Sequence, residues 1–129
     1  LQQVAAAFVG LMIEADVPLR FQVGEPWWWI FPDGRICIYD PLASAAIASH
    51  PPISDMRAPL NPAQTAALDQ AGELLAQSTA ALVQAARTAA GALPLESLLL
   101  VFPPTLLDPD MPEARRANLP LEWAAPAFD

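Results

Sequence analysis

Residues 25–41 read EPWWWIFPDGRICIYDP, and the fold turns on how this stretch is read. Pro32-Asp33-Gly34 is a strong turn signal. Proline presets the first turn position, aspartate suits the second, and glycine takes the left-handed one. A three-residue loop closed by Phe31 and Arg35 pairs Ile30 with Ile36, Trp29 with Cys37, Trp28 with Ile38 and Trp27 with Tyr39. Side chains alternate across a strand, so the hairpin has two unlike faces. Trp28, Ile30, Ile36 and Ile38 form an aliphatic face that belongs in the core. Trp27, Trp29, Phe31, Arg35, Cys37 and Tyr39 form the other. This second face is either a further buried layer or a docking surface. In the first case the N-terminal helix or the C-terminal tail covers it, with Trp123 and Phe128 folded over it as an exchangeable lid. In the second it presents the residue types that dominate protein interfaces.

Outward from the hairpin, residues 17–23, VPLRFQV, alternate as a half-buried strand, and Gly24-Glu25-Pro26 turns the chain. Leu1 to Asp16 has helical spacing, with Leu1, Val4, Phe8, Leu11, Met12 and Ala15 on one face. The window Ala63–Leu93 lacks proline and predicts one long helix. Asn61 is its N-cap, Pro62 its first residue, Gln64 closes a capping box, and Gly91 stops it. Leu68, Leu75, Leu82 and Ala89 recur at intervals of seven. About thirty helical residues span roughly 45 Å, more than a compact domain of this size is wide. The helix therefore kinks, or part of it packs on a second copy, and a homodimer is expected. Residues 97–102, SLLLVF, predict a strand covered on both faces.

The expected class is α+β, with residues 1–129 as one domain. Its small antiparallel sheet consists of a strand, the Trp-rich hairpin and a later strand. An N-terminal helix and one long Ala/Leu-rich helix pack on it. Residues 1–102 form the core and residues 103–129 an extended proline-rich tail, packed on that core or on a partner subunit.

Composition narrows the function classes. The chain has 129 residues, a formal net charge of -8, no lysine and six arginines. Clustered positive charge is missing, which argues against nucleic acid and anionic membrane surfaces as partners. No apolar run reaches the length of a membrane span. One cysteine cannot form an intrachain disulfide, which fits a reducing, cytoplasmic setting. Richness in alanine, proline and arginine without lysine is the pattern of a GC-rich bacterial genome. The first residue is leucine, which suits an excised piece.

Candidate chemistry is sparse. Cys37 and His50 are the one thiol–base pair available, and a thiol enzyme needs them within hydrogen-bond reach. One histidine and one cysteine make no metal set, and nothing calls for a cofactor. The segment Asp33–Ile38, DGRICI, resembles the surroundings of the active cysteine in ubiquitin-conjugating enzymes. That resemblance implies Cys37 as a thioester nucleophile. The His-Pro-Asn triplet that stands upstream in that family is absent here.

The order of elements is similar to that of secretion chaperones. The leading expectation is a non-enzymatic interaction module, adaptor or chaperone-like, that binds a protein partner through Trp27, Trp29, Phe31, Arg35, Tyr39 and Trp123. The alternatives are a thiol enzyme using Cys37 and a small-molecule binding domain with an aromatic pocket of Trp27, Trp29 and Tyr39.

Overall fold

The long helix forms as the sequence dictates. In the computed structural model, which describes residues 1–123 and 128, it runs from Pro62 to Ala90. The Asn61 side chain accepts from the backbone N–H groups of Ala63 and Gln64, both at 3.0 Å. Gln64 Oε1 accepts from the Asn61 N–H at 3.0 Å. This capping box satisfies donors that the first turn would otherwise leave unpaired. Gly91, at φ +61°, ends the helix.

In chain order the elements are α1 (Gln2–Glu14), β1 (Leu19–Val23), α2 (Pro41–Ala46), α3 (Pro62–Ala90) and β2 (Leu95–Leu99). They are followed by α4 (Pro103–Leu106), α5 (Ala114–Asn118) and a 3-10 turn at Leu121–Trp123. The tail is thus not extended as expected. Short helices take it back onto the body of the molecule, and proline starts the first of them. The rest of the expected tail beyond Trp123, apart from Phe128, lies outside the described residues.

The sheet differs from the expectation in sense and in membership. β1 and β2 pair in parallel, with Leu19 opposite Leu95 and Val23 opposite Leu99. The expected antiparallel sheet is not formed. Parallel neighbours need a long crossover, and α3 supplies it by carrying the chain back to the start of β2. The hairpin does not join this sheet. Glu25, at φ +52°, turns the chain away, and the Trp28 backbone N–H then donates to the side chain of Asn118 at 2.6 Å. Trp28 Nε1 donates to the Ala71 carbonyl at 2.9 Å. The backbone group that a ladder would use is spent on α5, and the indole is anchored to α3.

The length of α3 is absorbed within the chain. Its 29 residues span about 44 Å. The C-terminal half packs Ala86 and Ala90 against Val9 of α1 and Leu19 of β1. The N-terminal half packs Ala67, Leu68 and Ala71 against Ile36, Ile38, Ile47, Met56, Ala114 and Ala117. Between them, Leu75 and Ala76 meet Trp123. Leu68 and Leu75 of the heptad seam are therefore buried against their own chain. Small residues let the helices approach closely. α1 buries Ala5 and Val9, while its larger apolar residues Leu1, Val4, Phe8 and Leu11 are exposed.

Gly72 marks the tightest approach, because a Cβ there would meet the backbone carbonyl oxygen of Arg116. Gly72→Ala gains about 1 kcal/mol of helix propensity. Overpacking against a backbone atom costs about 1–3 kcal/mol. The expected outcome is a lower denaturant midpoint with an unchanged slope. A raised midpoint would show that α5 yields freely.

Candidate interaction surface

The tip of the hairpin forms as its sequence predicts. Ile30 and Ile36 are bridged in antiparallel sense. Around them, the Phe31 N–H donates to the Arg35 carbonyl at 2.9 Å and the Cys37 N–H to the Trp29 carbonyl at 2.8 Å. The pairing stops there, so the expected partners Trp28 with Ile38 and Trp27 with Tyr39 are not part of a ladder. Gly34, at φ +88°, is buried under the loop that carries Asp55, and its carbonyl accepts from the Met56 N–H at 2.8 Å.

The alternation of faces holds. Ile36 and Ile38 are buried, with Trp28 and Ile30 half-buried against the same cluster. On the other side Trp29 is 58% exposed and Phe31 51% exposed. Trp27 stacks on Phe102 with ring centroids 5.4 Å apart, and tilts against Trp29 at 6.0 Å. The Arg35 guanidinium lies 5.5 Å from the centre of the Phe31 ring, held by its ion pair with Asp33 at 2.8 Å. That pairing holds the Asp33 carboxyl below its ordinary range, chiefly through the hydrogen bond from the Arg35 backbone.

Trp27, Trp29, Phe31 and Arg35 therefore stand together. Phe102 joins them, a residue that the sequence placed at the end of a buried strand. The strand ends at Leu99 instead, and exposed Leu100, Val101 and Phe102 climb towards the hairpin.

Two expected members lie elsewhere. Trp123 is buried on α3, where its Nε1 donates to Thr79 Oγ1 at 2.9 Å. It is a core residue at this position, and the lid expected from Trp123 and Phe128 does not lie over Trp29 and Phe31. Both pack instead with Leu75 and Ala76. Tyr39 clamps a loop: its hydroxyl accepts from the Ile53 N–H at 2.7 Å and donates to the Pro51 carbonyl at 3.0 Å. Trp27, Trp29 and Tyr39 thus do not converge on one aromatic pocket. A groove of about 400 Å³ does run beside α3, between Thr79, Val83 and Trp123, and none of the three lines it.

Cys37 is a free, half-buried thiol. Burial pushes the Cys37 pKa up, and the nearby Arg35 charge only partly offsets it. An activated cysteine needs the opposite shift. His50 faces the Tyr39 ring and the Ile47 carbonyl. Among the described residues no hydrogen bond joins it to Cys37, and no group of three or more His, Cys, Asp or Glu side chains could hold a metal. Arg20, Arg57 and Arg116 are each paired with carboxylates of the same chain. Among the described residues no helix is long and apolar enough to cross a membrane.

The parallel pair β1–β2 joined through α3 is the repeating element of barrel folds that alternate strand and helix. Residues 1–129 match the family described as non-contractile tail sheath protein TIM barrel. The chain belongs to this family. No curated protein and no solved structure matches it. As a tail sheath barrel domain it is a structural module that assembles with other protein subunits. In enzymes built on the barrel fold, active sites lie on the loops after the strands. The hairpin follows β1 and Phe102 follows β2, so the aromatic cluster of this tail sheath domain is built from those two loops.

Two measurements check the local geometry. Cys37 is expected to label more slowly at pH 7 than an unstructured thiol and to gain reactivity only above the ordinary cysteine range; fast labelling at neutral pH would restore the thiol as a site. Gly34→Ala meets both a positive φ and the Asp55 carboxylate. It is expected to cost about 1–3 kcal/mol and to loosen the hairpin amides first. Unchanged hydrogen exchange at Phe31 and Cys37 would refute that.

Proposed function

We propose that the cluster of Trp27, Trp29, Phe31, Arg35 and Phe102 is the surface through which this tail sheath domain docks a neighbouring protein subunit. One observation carries this reading. Stacking on Phe102 fixes Trp27, and Trp27 in turn steadies Trp29, which leaves two large rings presented to solvent on an ordered base. Rigid aromatic groups with an arginine at the edge lose little side-chain freedom on binding and often dominate interface energetics. The net charge of -8 favours a neighbour whose matching surface is apolar at the centre and basic at the rim. Adaptor or chaperone-like describes the role in general terms: the domain holds a partner and does not transform it.

The double variant Trp29→Ala with Phe31→Ala tests this. Both rings are more than half exposed, so far-UV circular dichroism and melting should stay close to wild type. Loss of two hot-spot residues, each worth about 2 kcal/mol, weakens association by two to three orders of magnitude, roughly. Sedimentation and negative-stain microscopy of the assembled sheath subunit should then show free subunits in place of assemblies. Assembly indistinguishable from wild type would overturn the proposal. Trp28→Ala is the contrasting control, expected to destabilise the fold because it removes the indole bond to Ala71 and the ring's packing against the core.

A further inference from the structure

A surface complementary to the aromatic cluster lies on this same chain, at α5 and the 3-10 turn that follows it. α5 buries Ala114, Ala117 and Asn118 and turns Arg115 outward. Leu119 is 47% exposed and Leu121 is 90% exposed. The backbone that carries them is anchored on both sides. Asn118 accepts from the Trp28 N–H, and Trp123 donates to Thr79. Two leucines are thus held out in water on a rigid frame. With Arg115 and with Asp69 and Glu73 of α3 they line a hollow of about 640 Å³.

The charges on the two surfaces are opposite. Arg20, Arg35, Arg57 and Arg116 each pair with a carboxylate of the chain, and Arg87 donates to Ser97 at 3.0 Å. Arg115 is exposed and enters no ion pair among the described residues. The cluster has a carboxylate in the matching state. Asp108 lines a cavity of about 310 Å³ together with Phe31. Asp108 makes no ion pair among the described residues, because Arg57 on the same cavity is tied to Asp55 at 2.7 Å and Arg35 to Asp33 at 2.8 Å.

Resting on the docking role of the cluster, we propose that its neighbour is a second copy of this chain, which receives Trp29 and Phe31 in the hollow at α5 and brings its Arg115 to Asp108. Protruding rings meet a concave surface edged by leucines, and a guanidinium meets a carboxylate. No residue lines both cavities, so the contact joins two unlike surfaces, head to tail. Each copy keeps one surface of each kind for the next. Glu122 also borders the hollow, and Arg35 at the edge of the cluster is its counter-charge. The net charge of -8 on each copy opposes association. Such repulsion is screened beyond about 8 Å at physiological ionic strength, whereas charges in contact are not.

The test is a charge exchange in the full chain, read by sedimentation velocity at several concentrations. Arg115→Asp and Asp108→Arg are each expected to weaken association by about tenfold or more, because each sets like charges together. Mixed in equal amounts, the two variants are expected to associate as the wild type does, since every head-to-tail contact in the mixture then has a partner of opposite charge. Asp108→Asn keeps an oxygen that accepts from the Asp110 N–H, a bond of 2.9 Å, so the loop is retained while the charge is removed. It should weaken association in the same direction but less.

Melting of each variant is measured alongside. If Asp108→Arg melts early, Arg115→Asp and Asp108→Asn decide, and both must weaken association for the proposal to stand. A mixture of folded variants that associates no better than its components overturns it, and so does a wild-type chain that stays monomeric at every concentration. The docking role of the cluster has its own readout. If Trp29→Ala with Phe31→Ala disperses assemblies that Arg115→Asp leaves intact, the cluster docks a different protein and the second copy is excluded.

Discussion

Everything in this molecule is hung on α3. A 29-residue helix cannot be covered by one small cluster, so its two halves take different partners. The C-terminal half is met by α1 and the parallel strands, the N-terminal half by the hairpin, the loop after α2, and α5. Its residues are suited to this. Alanine and glycine on the contact faces allow neighbouring backbones to approach closely, and Gly72 beneath Arg116 is the closest case. Dispersion contacts at that separation compensate for the small size of the side chains.

The same helix explains the sheet. Once the chain has left β1 and travelled the length of α3, it re-enters beside β1 in the direction it first took. Parallel pairing follows from that return path, whereas an antiparallel partner would have to come from a short connection. The hairpin is the nearby candidate for such a connection, and it is drawn away. Asn118 takes its Trp28 N–H, and its own amide donates to the Ala114 carbonyl at 3.2 Å. A buried asparagine is stable only when its groups are paired, and here that pairing holds α5, the hairpin and α3 in one arrangement.

This arrangement also sets which hairpin face is exposed. Because the hairpin is held off the sheet, its aliphatic side faces α3 and its aromatic side faces outward. Phe102 reaches that side because β2 ends early and its apolar run continues as a loop. The aromatic cluster is thus built from the segments that follow the two strands, while strands and helices supply the frame. Thr79 and Trp123 show the contrasting use of a tryptophan: the indole donates to a buried hydroxyl that itself bonds back to the helix, so that ring supports the frame.

Local chemistry was legible in the sequence. The Asn61–Gln64 capping box, the stop at Gly91, the Pro32-Asp33-Gly34 turn with its Ile30–Ile36 pair, and the two unlike faces of the hairpin all depend on residues a few positions apart. Their physics is complete within that span. What the tertiary structure decided was every choice between distant partners. Trp28 and Asn118 are 90 positions apart, and Trp27 meets Phe102 across the whole of α3. Apolar periodicity marks a residue for burial or contact without naming the element that meets it. Strand sense, the place of Trp123 and the exposure of Trp29 and Phe31 were all settled by where a long, rigid helix deposits the chain.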